Sequence, residues 1–146
     1  MNPWIYSDGG RAAAGFKGET GDCVTRAIAI ATDMPYREVY DLVSSYSRIE
    51  RLRKRQKRQS RARTGVYRQT KDRILNELGW TWHPTMGIGT GCRVHLRADE
   101  LPSGRLIVKL TKHSCAVIDG VIHDTHDPSR DGTRCVYGYW TQPKDE

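Results

Sequence analysis

Val24 to Thr32 is apolar almost all the way round a helical wheel, interrupted only by Thr25 and Arg26. A helix without a polar face is a buried helix. Asp33-Met34-Pro35 ends it, because the residue before a proline is pushed out of the α region. Pro35 then suits the first turn of a second helix. Along that helix Val39, Leu42, Val43, Tyr46, Ile49 and Leu52 recur at spacings of three and four and draw one apolar stripe. "YRQTKDRILNELGW" predicts a third helix, with Ile74, Leu75 and Leu78 inward and Gly79 as its C-terminal cap.

The pattern changes after Gly79. "WTWHPTMGIGTGCRVHL" holds short β-type pieces around Gly-rich turns, and "GRLIVKL" reads as a strand. In "HSCAVIDGVIHDT" two apolar runs flank Asp119-Gly120, the residue pair of a type I′ hairpin turn. "CVYGYW" predicts a last strand. The opening "MNPWIYSDGGRAAAGFKGETGD" has no sustained period and reads as a loop-like arm. Helices come first and strands follow, so the expected class is α+β, one domain over 1–146 with an antiparallel C-terminal sheet.

Composition agrees with a folded domain. The chain has 146 residues, of which 37% are hydrophobic and 28% charged, which argues against wholesale disorder. No run approaches the ~18 apolar residues of a membrane span, and the N-terminus lacks an apolar signal core. Cys23, Cys92, Cys115 and Cys135 are widely spaced with no C-x-x-C, so four reduced thiols and a cytoplasmic setting are expected.

Charge adds a separate feature. The net charge is +7, yet "RLRKRQKRQSRAR" alone carries Arg51, Arg53, Lys54, Arg55, Lys57, Arg58, Arg61 and Arg63 with no acid. The remainder of the chain is therefore close to neutral. A basic arm at about 51–65 is expected to be solvated, or to dock on a nucleic-acid backbone or an acidic partner. Tyr46 and Tyr67 flank it and no aromatic lies within it, so base stacking is not signalled.

Candidate chemistry centres on Cys23. It sits where the buried helix should begin, after Gly21-Asp22, and a helix N-terminus favours a thiolate. Asp22 suits the N-cap, but its charge opposes the thiolate, so a nucleophilic Cys23 needs a basic partner. The hairpin offers one. If Asp119-Gly120 is the two-residue turn, Ile118 faces Val121 and Cys115 faces Asp124. His113, Cys115, Val117, Ile122, Asp124 and His126 then share one sheet face, with Asp124 diagonal to His113. A carboxylate so placed can orient a catalytic imidazole.

The order Cys23, His113, Asp124 resembles the papain-like cysteine peptidase superfamily: a Cys at the start of a buried helix, a His opening a strand, and an Asn or Asp on the next. C39-like and small bacterial or phage-encoded members are the most similar in pattern. The resemblance covers roughly residues 17–33 and 105–140. It implies a papain-like α+β fold and a Cys-His-Asp triad that hydrolyses a peptide, isopeptide or amide bond, or transfers the acyl group. The partner is then a protein or peptide. The family usually carries a Gln six residues before the Cys as an oxyanion donor, and here that position is Lys17. The alternative is a non-catalytic papain-like scaffold that binds nucleic acid or a host protein through 51–63.

Other groups have plainer readings. Cys115 and Cys135 lie in apolar strands and read as core. His123 and His126, with Cys115 or Asp127, can be drawn as a ligand set, but no standard zinc spacing appears, so no metal and no cofactor are expected. "TMGIGTGC" lacks the Lys-Ser/Thr ending of a phosphate loop and reads as a turn near the site, a substrate wall.

Overall fold

A computed structural model describes residues 3–16, 21–49, 60, 62, 65–66, 68–87 and 89–143. Elements follow the order β1 (Trp4–Tyr6), α1 (Cys23–Thr32), α2 (Tyr36–Ile49), α3 (Arg68–Glu77), β2 (Thr81–Pro84), β3 (Arg105–Leu110), β4 (His113–Ile118), β5 (Val121–Asp124) and β6 (Gly138–Thr141). The class is α+β. Among the described residues no helix is long and apolar enough to cross a membrane.

The three helices form where their apolar patterns place them. In α1 the buried residues surround the axis, and Ala27, Ala29 and Ala31 let neighbouring elements approach closely. Asp33 ends α1 in a left-handed conformation, its N–H donating to the Ile30 carbonyl. In α2 the stripe holds from Val39 to Tyr46, but Ile49 is exposed. Leu52 lies outside the described residues. The end of α3 is a Schellman cap: Trp80 N–H reaches the Leu75 carbonyl at 2.9 Å and Gly79 N–H the Asn76 carbonyl at 3.1 Å.

Six strands form one sheet in the order β1-β5-β4-β3-β6-β2. The β4–β5 hairpin turns at Asp119-Gly120 with both residues at positive φ, and pairs Ile118 with Val121 and Ala116 with His123. That is the register drawn from the sequence.

Two expectations fail here. The N-terminal arm is not all loop, because β1 joins the sheet edge parallel to β5, with Tyr6 opposite Asp124. The sheet is therefore mixed and not antiparallel throughout. Three exposed residues carry no period, so only the open edge of β5 makes them a strand. Second, Cys92 and Cys135 are joined in a disulfide across a separation of 43 residues. Only Cys23 and Cys115 are free thiols, and Cys135 is a cross-link, not core packing. The last strand also begins later than expected, at Gly138, while Cys135 makes an isolated bridge to His95.

Strand alternation divides the core into two layers. Ile107, Ala116 and Trp140 face α1–α3, whereas Leu106, Val108, Leu110, Cys115, Val117 and Ile122 pack with Leu96 and Val136 on the other side. In β6, Gly138 leaves room for the Trp82 ring. A Cβ there would stand 2.3 Å from Trp82 Cη2 and 2.9 Å from the His83 carbonyl oxygen. Gly138→Ala is expected to cost roughly 2–3 kcal/mol, since a packed core cannot absorb the added methyl. Thermal denaturation should show a Tm lower by about 5–10 °C; an unchanged Tm would contradict this packing.

Candidate active site

The first residue of α1 is Cys23, and α1 lies along β4 so that its N-terminus meets the first residue of that strand, His113. Cys23 and His113 face each other closely enough that each shifts the other's titration. His113 Nε2 lies 2.6 Å from Asp124 Oδ2, which leaves Nδ1 as the ring nitrogen for the thiol. The structure thus brings Cys23, His113 and Asp124 into one chain of contacts, from helix N-terminus to strand start to the end of the next strand.

Each charge has a physical cause. Burial opposes a charged imidazole, but hydrogen bonds to Asp124 and Cys23 and the charges behind them outweigh it, raising His113 from 6.5 to about 9. Burial also opposes the Cys23 thiolate, and is outweighed by the His113 hydrogen bond and charge, the Ser114 backbone and Arg26, so its pKa is lowered. Asp124 follows the same balance. Burial works against its charge, yet His113, the Thr125 N–H at 2.7 Å and Arg26 hold its pKa below the usual value. At neutral pH this favours a thiolate beside an imidazolium. Cys115 is fully buried and its thiol is pushed far upward, mainly by desolvation.

Asp22 corrects the cap expectation. Its carboxylate makes no side-chain cap to α1. It is fully buried and accepts from Arg26 Nη1 and from the Tyr36 hydroxyl at 2.6 Å. The other Arg26 amino group, Nη2, donates to Asp124 Oδ1 at 3.3 Å. A continuous path therefore runs Tyr36, Asp22, Arg26, Asp124, His113, Cys23. The sequence held a signal for it: a guanidinium in an otherwise apolar helix needs a buried partner. With Asp22 turned away, the first-turn N–H groups of α1 are left free of a side-chain cap.

A cleft of about 290 Å³ opens over this site, and Cys23, His113, Ser114 and Lys71 are among its walls. The described residues of the Thr85–Cys92 turn are not part of its lining. Val66, Gly65 and Arg68 supply that wall instead. A larger cavity of about 410 Å³ lies at the C-terminal end of α1, beside Thr32, Trp80 and Arg105, and holds no nucleophile. Lys17 lies outside the described residues, as does the basic segment 51–63 apart from Ser60 and Ala62.

His113, Asp124 and His126 also bring ligand atoms within 4.8 Å of one another. Asp124 is already shared between an imidazole and a guanidinium. The Arg26 charge makes the position unfavourable for a further cation. His126 packs its ring 5.2 Å from that of His113. No protein-family model, curated protein or solved structure matches the chain.

Proposed function

We propose that the protein is a thiol-dependent acyl hydrolase or transferase of papain-like type, acting on a peptide, isopeptide or amide bond. One observation carries this reading: a single imidazole lines the same cleft as Cys23 at a helix N-terminus and bonds the Asp124 carboxylate at 2.6 Å. A buried structural cysteine has no use for that arrangement.

The chemistry follows from the geometry. The Cys23 thiolate attacks the carbonyl carbon, and the carbonyl oxygen takes up the negative charge. The N–H groups at the start of α1, which no side chain caps, are the donors this reading assigns to that oxyanion. His113 gives its proton to the departing amine, leaving a thioester on Cys23. Water, or a second amine, then attacks the thioester while His113 takes the proton back. Asp124 keeps the ring oriented and favours its charged form. The Cys92–Cys135 bond removes the cysteine half of the argument for a cytoplasmic setting.

Iodoacetamide at neutral pH is expected to label Cys23 and leave Cys115 untouched, read by peptide mass mapping. Labelling of Cys115 in the folded protein, or of neither thiol, would sink the proposal. Turnover and labelling should also separate at high pH. Leaving-group protonation requires the His113 proton, so turnover falls above about 9, where that proton is lost. Alkylation needs only the thiolate and does not fall. A turnover profile still rising beyond that point would remove His113 as the acid.

A further inference from the structure

The cleft over Cys23 is cationic beyond the needs of its own chemistry. Besides Cys23 and His113 it is lined by Arg68, Lys71, Lys109 and Lys112, and among the described residues no carboxylate lines it. Arg68 is paired with Asp72 at 3.4 Å. Lys71 is different. Only 3% of it is exposed, and among the described residues it makes no ion pair or hydrogen bond. A lysine so largely buried, whose ammonium meets only the cleft, costs stability, so such groups are rare unless something else uses them.

Lys71 makes no bond to the triad, although its charge and that of a Cys23 thiolate attract. The thiolate is favoured by His113, the Ser114 backbone and Arg26. Burial, and after it the charge of Lys109, lowers Lys71 from 10.5 to about 8, which still leaves it mostly charged at neutral pH. It therefore presents a desolvated positive charge to whatever enters the cleft.

Resting on the acyl-transfer reading above, we propose that the acyl donor carries a carboxylate beside the scissile carbonyl, as on an aspartyl or glutamyl residue, and that Lys71 is its buried counter-ion. A lone ammonium suits a carboxylate monoanion. A phosphate dianion would favour a guanidinium fork, and the Arg68 guanidinium in this lining is paired with Asp72 through Nε at 3.4 Å. Lys109 and Lys112 at the rim steer the same charge inward.

The test uses the full chain and two matched probes. The benzyl thioester of N-acetylglutamate, with its side-chain carboxylate free, is compared with that of N-acetylglutamine. The expected result is a preference of about 10- to 100-fold in kcat/KM for the glutamyl ester, with the ratio of the two rates falling to near unity in Lys71→Met. Equal rates in the wild type, or a preference that survives Lys71→Met, would overturn the proposal.

A second arm needs no catalysis. In Cys23→Ser, N-acetylglutamate α-amide should bind saturably by calorimetry and N-acetylglutamine α-amide should not, with binding lost on adding Lys71→Met. Inorganic phosphate binding more tightly than the glutamate amide would overturn the carboxylate assignment. If the amide binds through Lys71 but neither thioester turns over, the hydrolase reading fails and the anion site stands. If both thioesters turn over equally through Cys23, the reverse holds. Lys71→Met should also raise Tm, with Lys71→Gln as a second variant in the same assays. A lysine kept for stability would lower Tm when replaced, and that outcome too would overturn the proposal.

Discussion

Cys23→Ala is expected to lower turnover of an activated acyl substrate by at least about 10³-fold, because no other group in the cleft can form the thioester. His113→Ala should approach the same loss by a different route. Without the imidazole the Cys23 pKa returns toward the ordinary thiol value of ~8.5, so alkylation at neutral pH slows about tenfold or more and its pH profile moves upward. The double variant should be no worse than Cys23→Ala alone, since the two groups act as one unit. Asp124→Asn keeps a hydrogen-bond partner for Nε2 but removes a charge. It should drop His113 from about 9 toward 6.5, readable as a shift in the alkaline limb of turnover. Cys115→Ala, whose thiol is sealed in the core, should leave every rate unchanged. Stepped losses that simply add, or a Cys23→Ala variant that keeps its rate, would defeat the triad.

Arg26→Met is expected to cost about 3–5 kcal/mol, the largest stability effect of any single change discussed. Asp22 is fully buried and Asp124 is 3% exposed, and Arg26 is the cation between them. Removing it leaves two carboxylates with no water and no counter-charge from that side. Arg11, at 3.7 Å from Asp22, and His113, at 2.6 Å from Asp124, remain, but each carboxylate loses one of its cations. The pH dependence has a definite sign. In the wild type Asp124 has a lowered folded pKa, so its contribution is present above its unfolded value and is lost as pH falls through the folded one. In Arg26→Met one of the groups that hold the Asp124 pKa down is gone, so the penalty is greatest at neutral pH and shrinks on acidification. Urea denaturation across the acid range would show this. Adding Asp22→Asn to Arg26→Met should recover part of the loss, because one of the two stranded charges is gone. A loss near zero at neutral pH would mean that Arg26 is dispensable, and the path from Tyr36 to His113 with it.

Local periodicity made much of the frame legible. The all-round apolar run located α1, the three-and-four spacing located α2 as far as Tyr46, and Gly79 marked the end of α3. Asp119-Gly120 determined the hairpin register, and period-two alternation then put His113 and Asp124 on one face. That Cys23 stands at a helix start is also a local property. These features depend on residues a few positions apart, whose geometry the backbone dictates.

What only the tertiary structure decided involves groups far apart in the chain. Trp4–Tyr6 became a strand because β5 offered an open edge 118 positions away. Cys92 met Cys135 through the folding of the segments that carry them. Asp22 had the position of a helix cap but turned inward, since a buried guanidinium attracts a carboxylate more strongly than a backbone N–H does. Lys71 has the sequence of an exposed helical lysine and ended buried in a cleft wall. Sequence alone determined which side chains could be chemical partners through turn and period. The folded core decided which charges lost their water, and desolvation is what turns a cysteine, a histidine and a lysine into reagents.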